Sequence, residues 1–126
     1  MGRGQSVMLV EDEPMIALMV ADMVEEQGFA VAGIFRANGE ALAFLRDHRP
    51  HLAIVDYALT DGPAAPIARK LKENGTPFCV ISGHHRSVAG SLFDDVAWVD
   101  KPFSQDQLCS ALRACLAHAA GLPAHV

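Results

Sequence analysis

Long apolar runs are missing from this chain. No stretch approaches the roughly 20 apolar residues that a bilayer span requires. The opening Met-Gly-Arg-Gly-Gln-Ser leads into only four apolar residues before Glu11, too few for the core of a secretion signal. Cysteine is scarce. Three thiols cannot all pair, Cys79 falls in an expected strand, and Cys109 and Cys115 fall on different faces of an expected helix. The reading is three reduced cysteines in a cytoplasmic protein. Clustered Lys and Arg are also lacking: ten basic residues are scattered through a chain of net charge -5, which argues against a nucleic-acid footprint. No Cys and His spacing suits zinc. No glycine-rich loop follows the first expected strand to cradle a nucleotide. At 126 residues, 51% hydrophobic and 20% charged, the chain reads as one globular domain (1–126) with no room for an output domain.

What is present is an alternation of short apolar runs and helical patterns. Residues 52–55 are four apolar residues, a strand buried on both faces, and they stop at Asp56 with the turn pair Asp61-Gly62 beyond. Residues 7–10 form a similar run that ends in Glu11, Asp12 and Glu13. Pro14 then suits the first turn of a helix whose face is Ile16, Val20, Met23, Val24 and Gln27, ending at Gly28. Residues 29–34 alternate as a strand. Asn38 is expected to cap a helix with Ala41, Leu42 and Leu45 inward, stopping before Pro50. Ile67, Ala68 and Leu71 outline a third helix that ends at Asn74-Gly75. A strand at 77–81 delivers Ser82-Gly83, and a poorly patterned fourth helix is expected over 84–95, with Gly90 inside it. A strand at 96–99 leads to Asp100-Lys101-Pro102. Ser104 with Gln107 is a capping box opening a fifth helix, with Leu108, Leu112, Cys115, Leu116 and Ala119 inward and Gly121 and Pro123 as its stop.

Five strands alternating with five helices predict a doubly wound parallel sheet with helices on both faces. Right-handed crossovers place all the strands' carboxyl ends on one edge, where such sheets bind ligands. Glu11, Asp12, Asp56, Ser82 and Lys101 fall on that edge. Converging carboxylates repel unless a cation lies among them, and hard oxygen donors with room for water suit Mg²⁺. Asp56 is then placed to attack phosphorus, with Lys101 and the Ser82 hydroxyl binding phosphoryl oxygens. Taken singly each residue has a plainer role: Glu11 and Asp12 favour the positive end of the first helix, Ser82 suits a turn, and Lys101 suits a solvated surface.

Val-Glu-Asp-Glu-Pro at 10–14, Ile-Val-Asp at 54–56, Ile-Ser-Gly at 81–83 and Asp-Lys-Pro-Phe at 100–103 together resemble the receiver domain of two-component response regulators, of the stand-alone type. The resemblance runs through the whole chain in order. It implies a flavodoxin-like fold with strand order 2-1-3-4-5. It also implies that Asp56 accepts a phosphoryl group from a histidine kinase or a histidine phosphotransfer protein. Mg²⁺ would be held by Asp12, Asp56, the Ala58 backbone carbonyl and, through water, Glu11. Further implications are a cis Lys101-Pro102 bond, Ser82 and Trp98 as switch residues, and altered affinity for a protein effector as the output. Two residues depart from the usual pattern: Ser82 stands where Thr is commoner, and Trp98 where Tyr or Phe is usual. Pro77-Phe78 with Ser82-Gly83 is similar to a subgroup with Phe-Ala-Thr-Gly in strand four, from which Val80 and Ile81 depart.

Two other readings compete. An aspartyl-nucleophile phosphohydrolase shares Asp56, Mg²⁺ and Lys101 but wants a second acid where Ala58 stands. A receiver-like module that binds partners without phosphorylation would not need the intact acidic, hydroxyl and lysine set. The surface of helix 4, strand 5 and helix 5 is read as a switch and homodimer face. His84-His85 and the histidines at 48, 51, 118 and 125 read as structural or loop residues, and Met15, Met19 and Met23 as packing.

Overall fold

The computed structural model describes residues 3–84 and 86–119, the side chains of Arg86, His118 and Ala119 aside. Five parallel strands form one sheet: β1 (Ser6–Val10), β2 (Ala30–Phe35), β3 (Leu52–Asp56), β4 (Phe78–Ser82) and β5 (Ala97–Asp100), in the order β2-β1-β3-β4-β5. This is the expected flavodoxin-like arrangement. The central strands are apolar because both of their faces are covered: every residue of β3 and β4 is buried. One apolar cluster joins Met8, Val10, Ala53, Val55 and Val80 to Ala41 and Leu45 of α2 (Asn38–Leu45) and to Ile67, Ala68 and Leu71 of α3 (Ala65–Asn74). The other joins Val7, Leu9, Ile54 and Ile81 to Val20 and Val24 of α1 (Pro14–Glu26) and to Leu108, Leu112 and Cys115 of α4 (Gln105–Ala119). Alternate residues of one strand therefore feed opposite cores, as the pleat requires.

The helix ends follow local chemistry. Pro14 opens α1, where its missing N–H costs nothing. Gly75, at φ 71°, closes α3 in the left-handed conformation that a side chain resists. Ser104 and Gln107 form the reciprocal box at the start of α4: the Ser104 N–H donates to Gln107 Oε1 at 2.7 Å and the Gln107 N–H to Ser104 Oγ at 3.1 Å. The three cysteines are free and buried. No helix among the described residues is long and apolar enough to cross a membrane.

Two expectations need correction. Asn38 is not the cap of α2 but its first residue. Ala37 holds the cap position with no side-chain hydrogen bond, and the Asn38 amide reaches instead to Asp61 and the Pro63 carbonyl. The expected helix over 84–95 is absent, leaving four helices among the described residues. Two short 3₁₀ turns, Arg86–Val88 and Ser91–Phe93, stand in its place. Gly90 adopts φ 77° between them and interrupts any helical ladder, and the segment offers Phe93 and Val96 as anchors rather than a stripe with a 3.6-residue repeat. His85, Gly121, Pro123 and His125 lie outside the described residues.

Since Phe93 is 1% exposed and packs in the apolar core, Phe93→Ala is expected to lower stability by about 3–5 kcal/mol, read by urea denaturation. Amides of residues 86–96 should exchange faster than those of α3 or α4, read by hydrogen exchange.

Candidate functional site

Strands β1, β3 and β5 each deliver a charged group to the same edge. Beyond β1, the Glu11 N–H donates to the Phe35 carbonyl at 2.8 Å, which extends the pairing with β2 and leaves Glu11 only 2% exposed. Its Oε2 accepts the Glu13 N–H at 3.0 Å and turns the chain into α1. Asp56 closes β3, 4% exposed, with Oδ1 accepting the Ala58 N–H at 3.3 Å. Lys101 follows β5, its N–H donating to the Ser82 carbonyl at 2.8 Å, and the Lys101-Pro102 bond is cis as expected. From there its Nζ lies 2.8 Å from Glu11 Oε1, 3.3 Å from Asp56 Oδ2 and 3.4 Å from Glu13 Oε1.

Charge does not balance here. Glu11, Asp12 and Asp56 each offer a carboxylate oxygen within 4.8 Å of the others, against one ammonium group. Burial, reinforced by the hydrogen bond and negative charge of Glu11, raises the Asp56 carboxyl to about 7, although Lys101 and the Ala58 N–H pull it down. Burial also disfavours the Lys101 ammonium, but Glu11 and Asp56 outweigh it and hold the group above its ordinary value. The Glu11 Oε1 atom is buried, with the Lys101 ammonium 2.8 Å away. Clustered hard oxygens, a surplus of negative charge and a half-exposed Asp12 fit a divalent cation such as Mg²⁺ that keeps part of its water shell.

The structure therefore brings Glu11, Asp12, Asp56 and Lys101 together. Ser82 lies one strand over, fully buried, with Oγ accepting the His84 N–H at 2.9 Å, and it meets the site through its carbonyl. Ala58 belongs to a two-residue antiparallel ribbon, Ala58–Leu59 with Gly62–Pro63, just after β3. Trp98 lies on β5, three residues before Lys101. Its ring packs 5.6 Å from Tyr57 and, edge-on, 6.2 Å from Phe93. Sequence reasoning missed Glu13 as a lysine partner and Tyr57 as a link. The Tyr57 ring sits edge-on to Phe93 at 5.6 Å, and its hydroxyl donates to the Val88 carbonyl at 3.3 Å. An aromatic directly after the strand-end acid was the available signal for Tyr57.

Residues 7–113 match the response regulator receiver domain family. TcrX of Mycobacterium tuberculosis, a probable transcriptional regulatory protein, is 29% identical over 91% of this chain and 51% of its own length. The polar-differentiation response regulator DivK of Brucella anthropi is 27% identical over 91% of this chain and 98% of its own. Among solved structures, SdrG from Sphingomonas melonis Fr1 superposes with a TM-score of 0.79 at 33% identity, over 89% of this chain and 96% of that one. The chain spans about half the length of TcrX.

A pH dependence follows from Asp56. Its folded value of about 7 lies above the ordinary 3.8, so between those limits the folded state binds more protons than the unfolded one, and stability falls as pH rises. Asp56→Asn removes that loss. Discounted for water reaching the rim of the site, the metal-free variant should be more stable than wild type by ~1–3 kcal/mol at pH 8 and nearly equal to it at pH 4, read by urea denaturation across pH.

Proposed function

The chain belongs to the response regulator receiver domain family of two-component signalling, and from that membership we propose that Asp56 is its phosphoacceptor. The observation that carries this reading is the Lys101 ammonium held against Glu11 and Asp56 at the buried sheet edge, with a surplus of carboxylate around it. A Mg²⁺ ion held by Asp12, Asp56, the Ala58 carbonyl and, through water, Glu11 would offset that surplus and neutralise an incoming phosphoryl group.

Asp56 Oδ forms the bond to phosphorus as the P–N bond of a phosphohistidine breaks, and the imidazole leaves with its electron pair. The donor is a histidine kinase or a histidine phosphotransfer protein. Ionised Asp56 is the attacking form, and Lys101 is the nearby cation that favours it. Once the carboxylate is converted to an acyl phosphate, its charge no longer holds the ammonium, which turns to a phosphoryl oxygen. The Ser82 hydroxyl accepts from the His84 N–H, which leaves its own hydrogen to donate to another phosphoryl oxygen. Drawing Ser82 inward shifts the turn at 83–84.

The output is a change in affinity for a protein effector. Tyr57 adjoins Asp56, packs on Phe93 and Trp98, and bonds to Val88, so a shift at β3 or β4 reaches the 86–96 segment and β5 directly. The surface of that segment, β5 and α4 is the proposed face for the effector or for a second copy of the chain.

Acetyl phosphate with Mg²⁺ is expected to add one phosphoryl group, read by intact-mass spectrometry, and none with EDTA or in Asp56→Asn. Lys101→Met should slow the addition about 10-fold or more. Trp98 fluorescence should change in step with the mass. Unmodified wild type in the presence of saturating Mg²⁺ would sink the reading.

A further inference from the structure

Beside the carboxylate cluster the structure holds a second polar assembly that has no part in the chemistry above. Asp61, at the tip of the ribbon after β3, reaches the start of α2 some 22 residues earlier in the chain. Its Oδ1 accepts the Asn38 N–H at 2.8 Å and the Asn38 side-chain amide at 3.1 Å, and its Oδ2 accepts the Gly39 N–H at 3.0 Å. The carboxylate thus supplies to α2 the cap that Ala37 cannot. The same Asn38 amide donates to the Pro63 carbonyl at 3.0 Å, and the Thr60 hydroxyl to the Arg36 carbonyl at 3.2 Å. Residues 60–63 are therefore stitched to residues 36–39. Those follow Phe35 directly, and the Phe35 carbonyl accepts the Glu11 N–H.

A closed circuit results: the ends of β1 and β2, the start of α2, and the ribbon that carries Ala58. We propose that Asp61 is a positioning residue for the site, holding the Ala58 backbone at a fixed distance from Glu11 and Asp12 so that the cation set is assembled before the ion arrives. This rests on the receiver reading of Ala58 as a carbonyl ligand. Asp61 touches neither cation nor phosphate and acts through the ribbon. Without its carboxylate, two backbone N–H groups at α2 lose their partners, and the ribbon is left with its own pairing, the Ala58 N–H bond to Asp56, the Ala64 N–H bond to the Tyr57 carbonyl and the Thr60 and Asn38 links. Fixing ligands in advance spares the ion the cost of ordering them, and loss of such outer supports typically weakens metal affinity by about 10-fold or more.

The test is Mg²⁺ affinity by calorimetry at 25 °C on the folded full chain, for wild type, Asp61→Ala, Asp61→Asn and Thr60→Val. Asp61→Ala is expected to raise the Mg²⁺ dissociation constant about tenfold. Asp61→Asn keeps one acceptor oxygen and should recover part of the loss, and Thr60→Val should show a smaller loss in the same direction. In metal-free Asp61→Ala, the amides of Ala58 and Ala64 should exchange faster. Ser6→Ala removes a hydroxyl bonded to His51 at the far edge of the sheet, and it should leave Mg²⁺ affinity unchanged whatever it does to Tm. Wild-type binding with Asp61→Ala within twofold of it overturns the clamp and leaves the receiver reading standing. A wild type that binds no Mg²⁺ overturns both. If Asp61→Ala does not fold, Asp61→Asn and Thr60→Val decide, and unchanged affinity in both overturns the clamp.

Discussion

The contact of the Lys101 ammonium with the buried carboxylates of Glu11 and Asp56 is the constraint around which the sheet edge is built. Two nearly inaccessible carboxylates beside each other would be costly in an apolar interior. One lysine brings that cost within reach without cancelling it, and the Asp56 carboxyl stays raised even with Lys101 alongside. The arrangement requires β1, β3 and β5 to end at the same edge, which a parallel sheet with right-handed crossovers provides. It also requires β4 to end beside β5, where Ser82 pairs with Asp100 and its carbonyl holds the Lys101 N–H. The edge therefore carries a surplus of negative charge at a cost in stability, a surplus that the proposed cation would offset.

The two apolar cores are built from Leu, Ile and Val in the strands and from the inward faces of the helices. Two routes lead outward from the site. Asp61 ties the ribbon after β3 to α2 and holds backbone in place. Tyr57 ties Asp56 to Phe93, Trp98 and Val88, and reaches the segment of two 3₁₀ turns. Links to two different segments thus flank the same acid.

Most of this was legible in residue order. Apolar runs ending in Glu11, Asp56 and Lys101 predicted three strands and their shared edge, because a strand buried on both faces has a continuous signature and stops where a charge appears. Pro14, Asn74-Gly75 and Ser104 with Gln107 marked helix ends by local chemistry, and local chemistry decided them. The misses were tertiary. Asn38 has the composition of a cap, but the acid that caps α2 is Asp61, from a ribbon no local pattern could pair with it. The segment at 84–95 has a helix's length but not its repeat, and Gly90 and the anchoring of Phe93 favoured two 3₁₀ turns. Trp98 was placed correctly on β5, but that its ring packs on Tyr57 depends on how far the side chains of neighbouring strands reach across one face.

The most direct test of this account is the titration of the Asp56 carboxyl itself, followed by carbon-detected NMR on the metal-free protein and again with Mg²⁺. The account predicts a midpoint near 7 without metal and a fall well below it once Mg²⁺ is bound, with Glu11→Gln lowering the metal-free midpoint. An Asp56 that titrates near the ordinary 3.8 without metal and does not respond to Mg²⁺ would contradict it. The sheet edge would then hold a satisfied ion pair, with no unbalanced charge for a cation to complete.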